Sequence, residues 1–251
     1  MTLPGLVPPW PVASRVRAFC TLRAGGVSGA PYASLNLATH VGDAPAAVSE
    51  NRARLRSHLS LPSEPLWLEQ VHGTQVLDAD RLEGGGRAPA DAAVTREAGR
   101  VLCVLVADCL PVLLATRSGE AIGVAHAGWR GLAAGVIERT IEALGSAPAE
   151  LCAWLGPAVS AQHFEVGPEV RAAFLEQHSQ AEACFTANAR GRWQCDLAGL
   201  ARQRLQALGV HSVHDSQLCT ASDPTRFYSY RRDGQTGRIA ALLWMAGEGE
   251  T

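Results

Sequence analysis

The chain has 251 residues, 47% hydrophobic and 18% charged, which is typical of a globular protein with one large domain or two small ones. Its formal net charge of −2 excludes a nucleic-acid binder that relies on bulk positive charge. All 22 basic residues are arginines, so Schiff-base mechanisms and the lysine-containing phosphate-binding loop are excluded as well.

The predicted elements follow from hydrophobic periodicity and from the turn residues between periodic segments. In chain order they are a strand at 15–22, a helix at 46–59, strands at 66–71, 74–77, 101–107, 112–116 and 121–125, a helix at 132–144, a strand at 151–155, helices at 168–177 and 197–208, and a strand at 238–245. Asp196 is expected to cap the last helix and Gly209 to end it. The glycine run 84–86 predicts a loop.

The predicted strands occur in clusters and do not alternate regularly with helices. This pattern favours an α+β fold with mixed β-sheets flanked by helices over a doubly wound parallel sheet. We find no linker, so we expect a single domain over 1–251, with 1–14 irregular.

Cysteine usage and apolar runs indicate the compartment. Seven cysteines, an odd number without a C-x-x-C pair, do not suggest a disulfide framework. The first residues lack the basic start and apolar centre of a signal peptide, and Asp108 and Pro111 interrupt the longest apolar run. We therefore expect a cytoplasmic protein with reduced thiols that does not bind membranes.

Three motifs place reactive side chains at the ends of predicted strands: QVHG at 70–73, ADCLP at 107–111 and AHAGWRG at 125–131. His72, Cys109 and His126 offer two imidazoles and a thiolate, which suit zinc. Three protein ligands with an open fourth position are the pattern of a catalytic zinc site. In the alternative interpretation, the histidines are hydrogen-bonded loop residues and Cys109 is a small core residue.

Two arginines are candidate anion ligands. Arg130 precedes the predicted helix, whose start at Leu132 would present free N–H groups and a positive dipole end. Arg231 lies in a basic YRRDG segment, and guanidinium groups suit phosphate or carboxylate. The alternatives are a tight turn made by Gly128 and Gly131, and a solvated hairpin tip around Arg231.

Three acidic residues are candidates for general acid or base catalysis: Asp91, Asp108 and Glu165. Each suits a turn or capping role equally well, and the sequence does not distinguish these roles.

Six segments occur in an order that resembles the YfiH/laccase-domain family: TLRAGGVSGAPYASLNLATHVGD, EQVHGTQV, ADCLPVLL, AHAGWRG, LGPAVSAQHFEVGPEV and CTASDPTRFYSYRRDGQTGR. The resemblance runs from about Thr21 to Met245. It implies an α+β domain similar to the cysteine-hydrolase-like fold of CNF-type bacterial toxin deamidases. It also implies that His72, Cys109 and His126 form a metal site.

The resemblance further implies activity on purine nucleosides: phosphorolysis of adenosine, inosine, guanosine or methylthioadenosine, and deamination of adenosine. Purine nucleosides and phosphate would then be the partners, without nucleic acid, and Zn²⁺ the cofactor, with copper as an alternative. We expect Arg130, Arg231 and the helix start at Leu132 to bind phosphate, and Asn36 to contact ribose or base.

Three other functions stay open at this point. Related bacterial proteins are implicated in removing a wrongly added serine from UDP-MurNAc peptidoglycan precursors, which the same three residues could perform as a thiol or zinc hydrolase. A copper polyphenol oxidase would need many histidines, whereas this chain has eight and no H-x-H pair. A metal-stabilised interaction module would need a fourth protein ligand.

Overall fold

The computed structural model describes residues 3–82 and 89–247, so the glycine run 84–86 lies outside the described residues. Within these ranges the strands are β1 (Gly5–Leu6), β2 (Val16–Thr21), β3 (Leu66–Trp67), β4 (Val76–Asp78), β5 (Ala92–Thr95), β6 (Val101–Val106), β7 (Leu110–Thr116), β8 (Ile122–Ala127), β9 (Leu151–Leu155), β10 (Glu165–Val166), β11 (Phe185–Ala187), β12 (Trp193–Cys195), β13 (Ser212–Asp215) and β14 (Ile239–Met245). The α-helices are α1 (Pro45–Leu59), α2 (Trp129–Ala134), α3 (Val136–Leu144), α4 (Pro168–Leu175), α5 (Leu197–Ala207) and α6 (Tyr230–Asp233).

The strands form three sheets. A five-stranded sheet has the order β1-β2-β14-β6-β3, a six-stranded sheet has the order β13-β9-β7-β8-β5-β4, and a small sheet has the order β10-β12-β11. Both large sheets are mixed, since β3 pairs with β6, β4 with β5 and β13 with β9 in parallel. The predicted α+β class with mixed sheets flanked by helices is confirmed.

Alternation along fully buried strands creates the layers. In β6, Leu102 and Val104 pack against the six-stranded sheet, whereas Val101 and Cys103 pack in the cluster that includes Leu55 of α1. The outer face of the six-stranded sheet is covered by α3 and α5. The result is a helix–sheet–sheet–helix arrangement, and the chain crosses from one sheet to the other between β6 and β7.

The helix predicted at 132–144 is two helices. Helix α2 begins earlier, at Trp129, and ends at Gly135, which has φ of 97° and donates to the carbonyls of Gly131 and Leu132. Helix α3 follows directly. The hydrophobic periodicity predicted one continuous helix, because the helical turns before and after Gly135 both direct apolar residues to the same core.

Other boundaries differ for local reasons. The strand predicted at 66–71 ends at Trp67, because the chain then leaves the sheet to form the QVHG loop. The strand predicted at 121–125 extends to Ala127, so His126 lies within β8. In the N-terminal stretch, residues 5 and 6 pair with β2. Helix α5 begins after Asp196, whose side chain accepts the Gly199 N–H as predicted.

For the described parts of the chain, no helix combines the length and apolar character that a bilayer crossing requires.

Candidate metal centre

The three motif residues converge where the two large sheets meet. Cys109 occupies the turn that carries the chain from β6 to β7. His126 lies on β8 opposite Pro111 of β7, which brings its ring beside this turn. His72 comes from the loop after β3. Among the described residues, these three form the one group of histidine, cysteine or acidic side chains spaced to hold a metal ion.

The separations fit a metal ion with small side-chain adjustments. The ligand atoms all lie within 4.8 Å of one another, and Cys109 Sγ is 3.9 Å from His72 Nε2. Ligands of a tetrahedral zinc ion are roughly 3.5 Å apart, so movements of about 1 Å would bring these atoms to bonding positions. His126 is buried, Cys109 half-buried and His72 exposed, so one side of the cluster is open to a reactant.

Asp91, immediately before β5, organises two of the ligands. Its fully buried carboxylate accepts the Nδ1–H of His126 at 2.7 Å, which leaves Nε2 of that ring available to a metal. It also accepts the backbone N–H groups of Val71, His72 and Gly73 at 3.1, 2.9 and 2.6 Å. Asp91 therefore fixes the backbone of the QVHG loop and also orients the His126 ring.

Electrostatics favour the ionised forms of Cys109, His126 and Asp91. Burial opposes ionisation of Asp91, but hydrogen bonds from His126 and Gly73 hold the pKa of its carboxyl below the usual value. Burial also favours the neutral Cys109 thiol, yet the adjacent His126 and His72 lower the pKa of Cys109. Cys109 and Asp91 together raise the pKa of His126 against the effect of burial. A thiolate is the protonation state that binds metals.

A second aspartate, Asp108, holds the loop that carries Cys109. Asp108 has φ of 98°, a left-handed conformation that is rare for a residue with a side chain. Its carboxylate accepts Thr220 Oγ1 at 2.7 Å and the Arg231 N–H at 2.6 Å, and its carbonyl accepts the Val159 N–H. These bonds hold the turn and tie it to the C-terminal segment.

The cluster opens into a cavity of about 320 Å³, a size typical of small-molecule sites. Apolar side chains form much of its wall: Leu105, Val106, Ala107, Trp129, Val159, Phe164 and Leu197. Three arginines also line it: Arg130, Arg231 and Arg238. The cavity thus combines an apolar surface, a metal-type cluster and positive charge.

The two predicted arginines lie at this cavity. Arg130 is exposed and its guanidinium stacks 4.5 Å from the centre of the Trp129 ring. Arg231 is exposed, stacks over Phe164 at 5.1 Å and donates to the Glu165 carbonyl. The predicted helix start at Leu132 is wrong: Leu132 lies inside the short α2, and its N–H donates to the Gly128 carbonyl.

Two other predicted site residues, Asn36 and Glu165, do not line the cavity. The Asn36 side chain is fully buried and bonds to Ala38, Asp43 and the backbone of Arg238. It is not among the cavity-lining residues, so its placement does not support a ribose or base contact. The Glu165 carboxylate is bound by Asn188 and by arginines of the β11–β12 segment, also off the cavity wall.

Sequence reasoning missed Arg238, the cavity-lining side chains of His40 and Gln70, and the bracing roles of Asp91 and Asp108. Arg238 had a visible signal, since it stands at the start of a predicted buried strand where a charged residue is unusual. Gln70 pairs its amide with both backbone groups of Leu105 at 2.8 Å, which anchors the QVHG loop to β6.

Gly128→Ala is expected to lower metal affinity by about 10-fold without unfolding the protein. A Cβ at Gly128 would lie 3.0 Å from both Cys109 Sγ and His72 Cδ2, so two ligands would have to shift. Gly29→Ala is the matched control, because a Cβ there meets nothing within 4 Å. Competition of each variant with a zinc chelator measures the effect, and equal affinity in the Gly128 variant would contradict the packing argument.

The fold and the cluster define an α+β domain with a His–Cys–His centre beside a cationic cavity. The chain belongs to the YfiH/laccase-domain family, since the family model described as multi-copper polyphenol oxidoreductase laccase matches residues 17–246. The resemblance predicted from the six segments is confirmed.

Relatives support the same assignment over nearly the whole length. The chain is 50% identical over 241 residues to a Pseudomonas aeruginosa protein named purine nucleoside phosphorylase PA4543, covering 96% of this chain and 98% of that one. It is 46% identical over 242 residues to Escherichia coli purine nucleoside phosphorylase YfiH, with 96% and 98% covered. A crystal structure of Neisseria meningitidis protein NMB0706 superposes with a TM-score of 0.93 at 45% identity, covering 97% and 99%.

Proposed function

We propose that this protein is a metal-dependent purine nucleoside phosphorylase acting on adenosine, inosine, guanosine or methylthioadenosine. The carrying observation is that one cavity holds both the His72–Cys109–His126 cluster and arginines without an ion-pair partner among the described carboxylates. The names of the family relatives support the same reaction class.

The proposed reaction balances without a further co-reactant. An oxygen of hydrogen phosphate forms a bond to C1′ of the ribose while the bond from C1′ to N9 of the purine breaks. The electron pair of the broken bond leaves with the purine, which takes the proton of the hydrogen phosphate. The products are the free base and ribose 1-phosphate, or 5-methylthioribose 1-phosphate when methylthioadenosine is the substrate.

The residues of the cavity fit these needs. Arg130 and Arg231 present guanidinium groups that would bind and orient phosphate. The flat side chains of Trp129 and Phe164, with the aliphatic wall, would exclude water and receive the purine ring. Asp91 and Asp108 act by holding the ligand loops, because their oxygens are engaged by protein donors.

Zinc is the metal that the donor set favours, with His72, Cys109 and His126 as ligands. When bound, it would supply Lewis acidity to the cavity. We also propose deamination of adenosine at the same site, because the cluster is open on the side that faces the cavity. In this reaction water forms a bond to C6 of the purine and the C6 amino group leaves as ammonia, which gives inosine. Formation of inosine in phosphate-free buffer tests this second reaction.

A hydrolytic alternative is favoured by one observation, the placement of the Cys109 thiol beside the His72 and His126 rings, which lower its pKa. In that case the Cys109 sulfur would form a bond to the amide carbonyl carbon of a UDP-MurNAc precursor while the bond from that carbon to the serine nitrogen breaks, and serine would leave as the protonated amine. Water would then hydrolyse the thioester and restore the thiol, in keeping with the expected likeness to cysteine hydrolases. Zinc chelation separates the two functions, because a thiol hydrolase would keep its activity after the metal is removed.

The described residues do not support a multicopper oxidase. Their one metal-type cluster has three ligands and would hold a single ion, whereas oxidation of phenols with reduction of oxygen to water uses several coppers. We expect copper-loaded protein not to oxidise phenols, and phenol oxidation with consumption of oxygen would contradict this conclusion.

Phosphate dependence of nucleoside cleavage tests the proposed function. Zinc-loaded protein is mixed with inosine in phosphate buffer and in a phosphate-free buffer of the same ionic strength, and products are separated by chromatography. We expect hypoxanthine and ribose 1-phosphate in phosphate and little cleavage without it. Release of ribose at equal rates in both buffers would contradict phosphorolysis.

A further inference from the structure

Arg238 is the cavity arginine that lies deepest in the protein. It is half-buried, whereas Arg130 and Arg231 are exposed. It immediately precedes β14, the central strand of the five-stranded sheet, and shares the cavity wall with Cys109 and Asp108.

The structure fixes the position of this side chain. Its backbone N–H donates to Asn36 Oδ1 at 3.0 Å, and its Nη1 donates to the carbonyls of Thr236 and Gly237 at 2.8 and 3.0 Å. Gly237 packs so closely on the Tyr228 ring that a Cβ would lie 2.7 Å from it. One nitrogen of the guanidinium is therefore used for orientation. Among the described residues, Nε and Nη2 have no acceptor.

The charge of Arg238 is incompletely neutralised. No carboxylate of the described residues lies within ion-pair distance of it, whereas buried Arg204 is bound to Glu138 at 2.6 Å. Burial lowers the pKa of Arg238, and the more distant charges of Cys109, Asp108 and Tyr230 oppose this shift. A partly buried cation without a direct partner is costly unless a ligand supplies the countercharge.

We propose that Arg238 is the principal ligand of an oxyanion site in this cavity and that inorganic phosphate is its occupant, with Arg231 and Arg130 completing the site at the rim. This inference rests on the proposed function and assigns its phosphate-binding residue. A guanidinium held by one nitrogen still presents two donors to the oxygens of one phosphate. The phosphate would lie beside the metal cluster, where its oxygen can reach C1′ of the bound nucleoside.

Titration calorimetry with inorganic phosphate on the zinc-loaded protein tests this inference. We expect Arg238→Gln to weaken phosphate binding by about 30-fold, and Arg238→Lys by less, because lysine keeps the charge but loses the two-pronged geometry. The KM for phosphate should rise in parallel while zinc content and the KM for inosine stay within about twofold. Arg139→Gln is the surface control, since Arg139 pairs with exposed Glu142 on α3 and should leave all values unchanged.

Thermal unfolding separates a ligand role from a structural one. Arg204→Gln removes one partner of a buried ion pair and should lower Tm by at least about 6 °C. Arg238→Gln should change Tm by less than about 3 °C, because no direct ion pair is lost. A decrease as large as that of Arg204→Gln, or unchanged phosphate binding in Arg238→Gln, would overturn the inference.

Three further outcomes distinguish the sources of the anion and separate this inference from the proposed function. Tighter, Arg238-dependent binding of inosine 5′-monophosphate than of inorganic phosphate would assign the site to a phosphate group of the substrate and contradict free phosphate as its occupant. Arg238-dependent phosphate binding by a protein that cleaves no nucleoside would support the anion site and refute the proposed function. Nucleoside phosphorolysis that persists unchanged in Arg238→Gln would support the proposed function and refute the assignment of the phosphate site to Arg238.

Discussion

Cys109→Ala is expected to weaken zinc binding by more than about 100-fold and to reduce nucleoside cleavage by at least as much. Loss of an outer-shell partner already costs about 10- to 100-fold in metal affinity, and Cys109 supplies the single thiolate of the cluster. Chelator competition gives the affinity, and initial rates at saturating inosine and phosphate give the activity.

The matched control for this variant is Cys219→Ala. Cys219 is half-buried like Cys109 but lines a separate cavity, where its sulfur accepts the Ser160 N–H at 3.3 Å. We expect the control to keep zinc and activity. If Cys109→Ala lost activity by less than about tenfold, neither metal binding nor thiol chemistry at Cys109 would be needed for the reaction.

Asp91→Ala is expected to have the second-largest effect, on both metal binding and stability. It would release the His126 ring and leave three backbone N–H groups of the QVHG loop without their acceptor. We expect zinc affinity to fall by about 10- to 100-fold and the free energy of unfolding of the metal-free protein to fall by about 3 kcal/mol. Chelator competition and urea unfolding measure the two quantities.

Asp80→Ala is the control that separates a loss of zinc affinity from the loss of stability caused by removing any hydrogen-bonded carboxylate. Like Asp91, Asp80 accepts hydrogen bonds from a side chain and from the backbone, here the Thr95 hydroxyl and the Arg96 N–H, but it lies away from the cluster. It should reduce stability while zinc affinity stays at the wild-type value. Equal zinc affinities in Asp91→Ala and the wild type would show that His72 and His126 are oriented without Asp91.

The sequence predicted the His72–Cys109–His126 cluster because chemistry and local structure coincide there. His72 and Cys109 each lie in a turn after a strand, and the AHAGWRG motif marks His126 by the two close-packed glycines that follow it. A Cβ at Gly131 would lie 2.8 Å from the Gly73 carbonyl, so this glycine, like Gly128, is needed for the approach of the three loops. The order of the motifs was sufficient to identify the family.

The sequence could not predict which polar residues hold the ligands and which line the cavity. Asp91 reaches His126 because β5 pairs with β8, two strands that lie far apart in the sequence. Asn36 and Arg238 both have polar side chains, yet Asn36 bonds within the core and Arg238 lines the cavity. Only the tertiary arrangement decides this difference, because composition and period are the same in either case.

The order of the layers also could not be predicted from the hydrophobic periodicity of the sequence. The continuous apolar run of β6 indicated burial on both faces but not that one face meets a second sheet and the other a helix layer. The break at Gly135 was hidden for a related reason, since both helices direct apolar residues to the same side of the six-stranded sheet.

X-ray absorption at the zinc edge, on protein purified with its metal, tests the central claim most directly. If the proposed centre is right, we expect one equivalent of zinc bound by one sulfur and two imidazole nitrogens, with a spectrum that inorganic phosphate or a nucleoside perturbs. The absence of sulfur from the coordination sphere, or a second sulfur in it, would contradict the His72–Cys109–His126 centre.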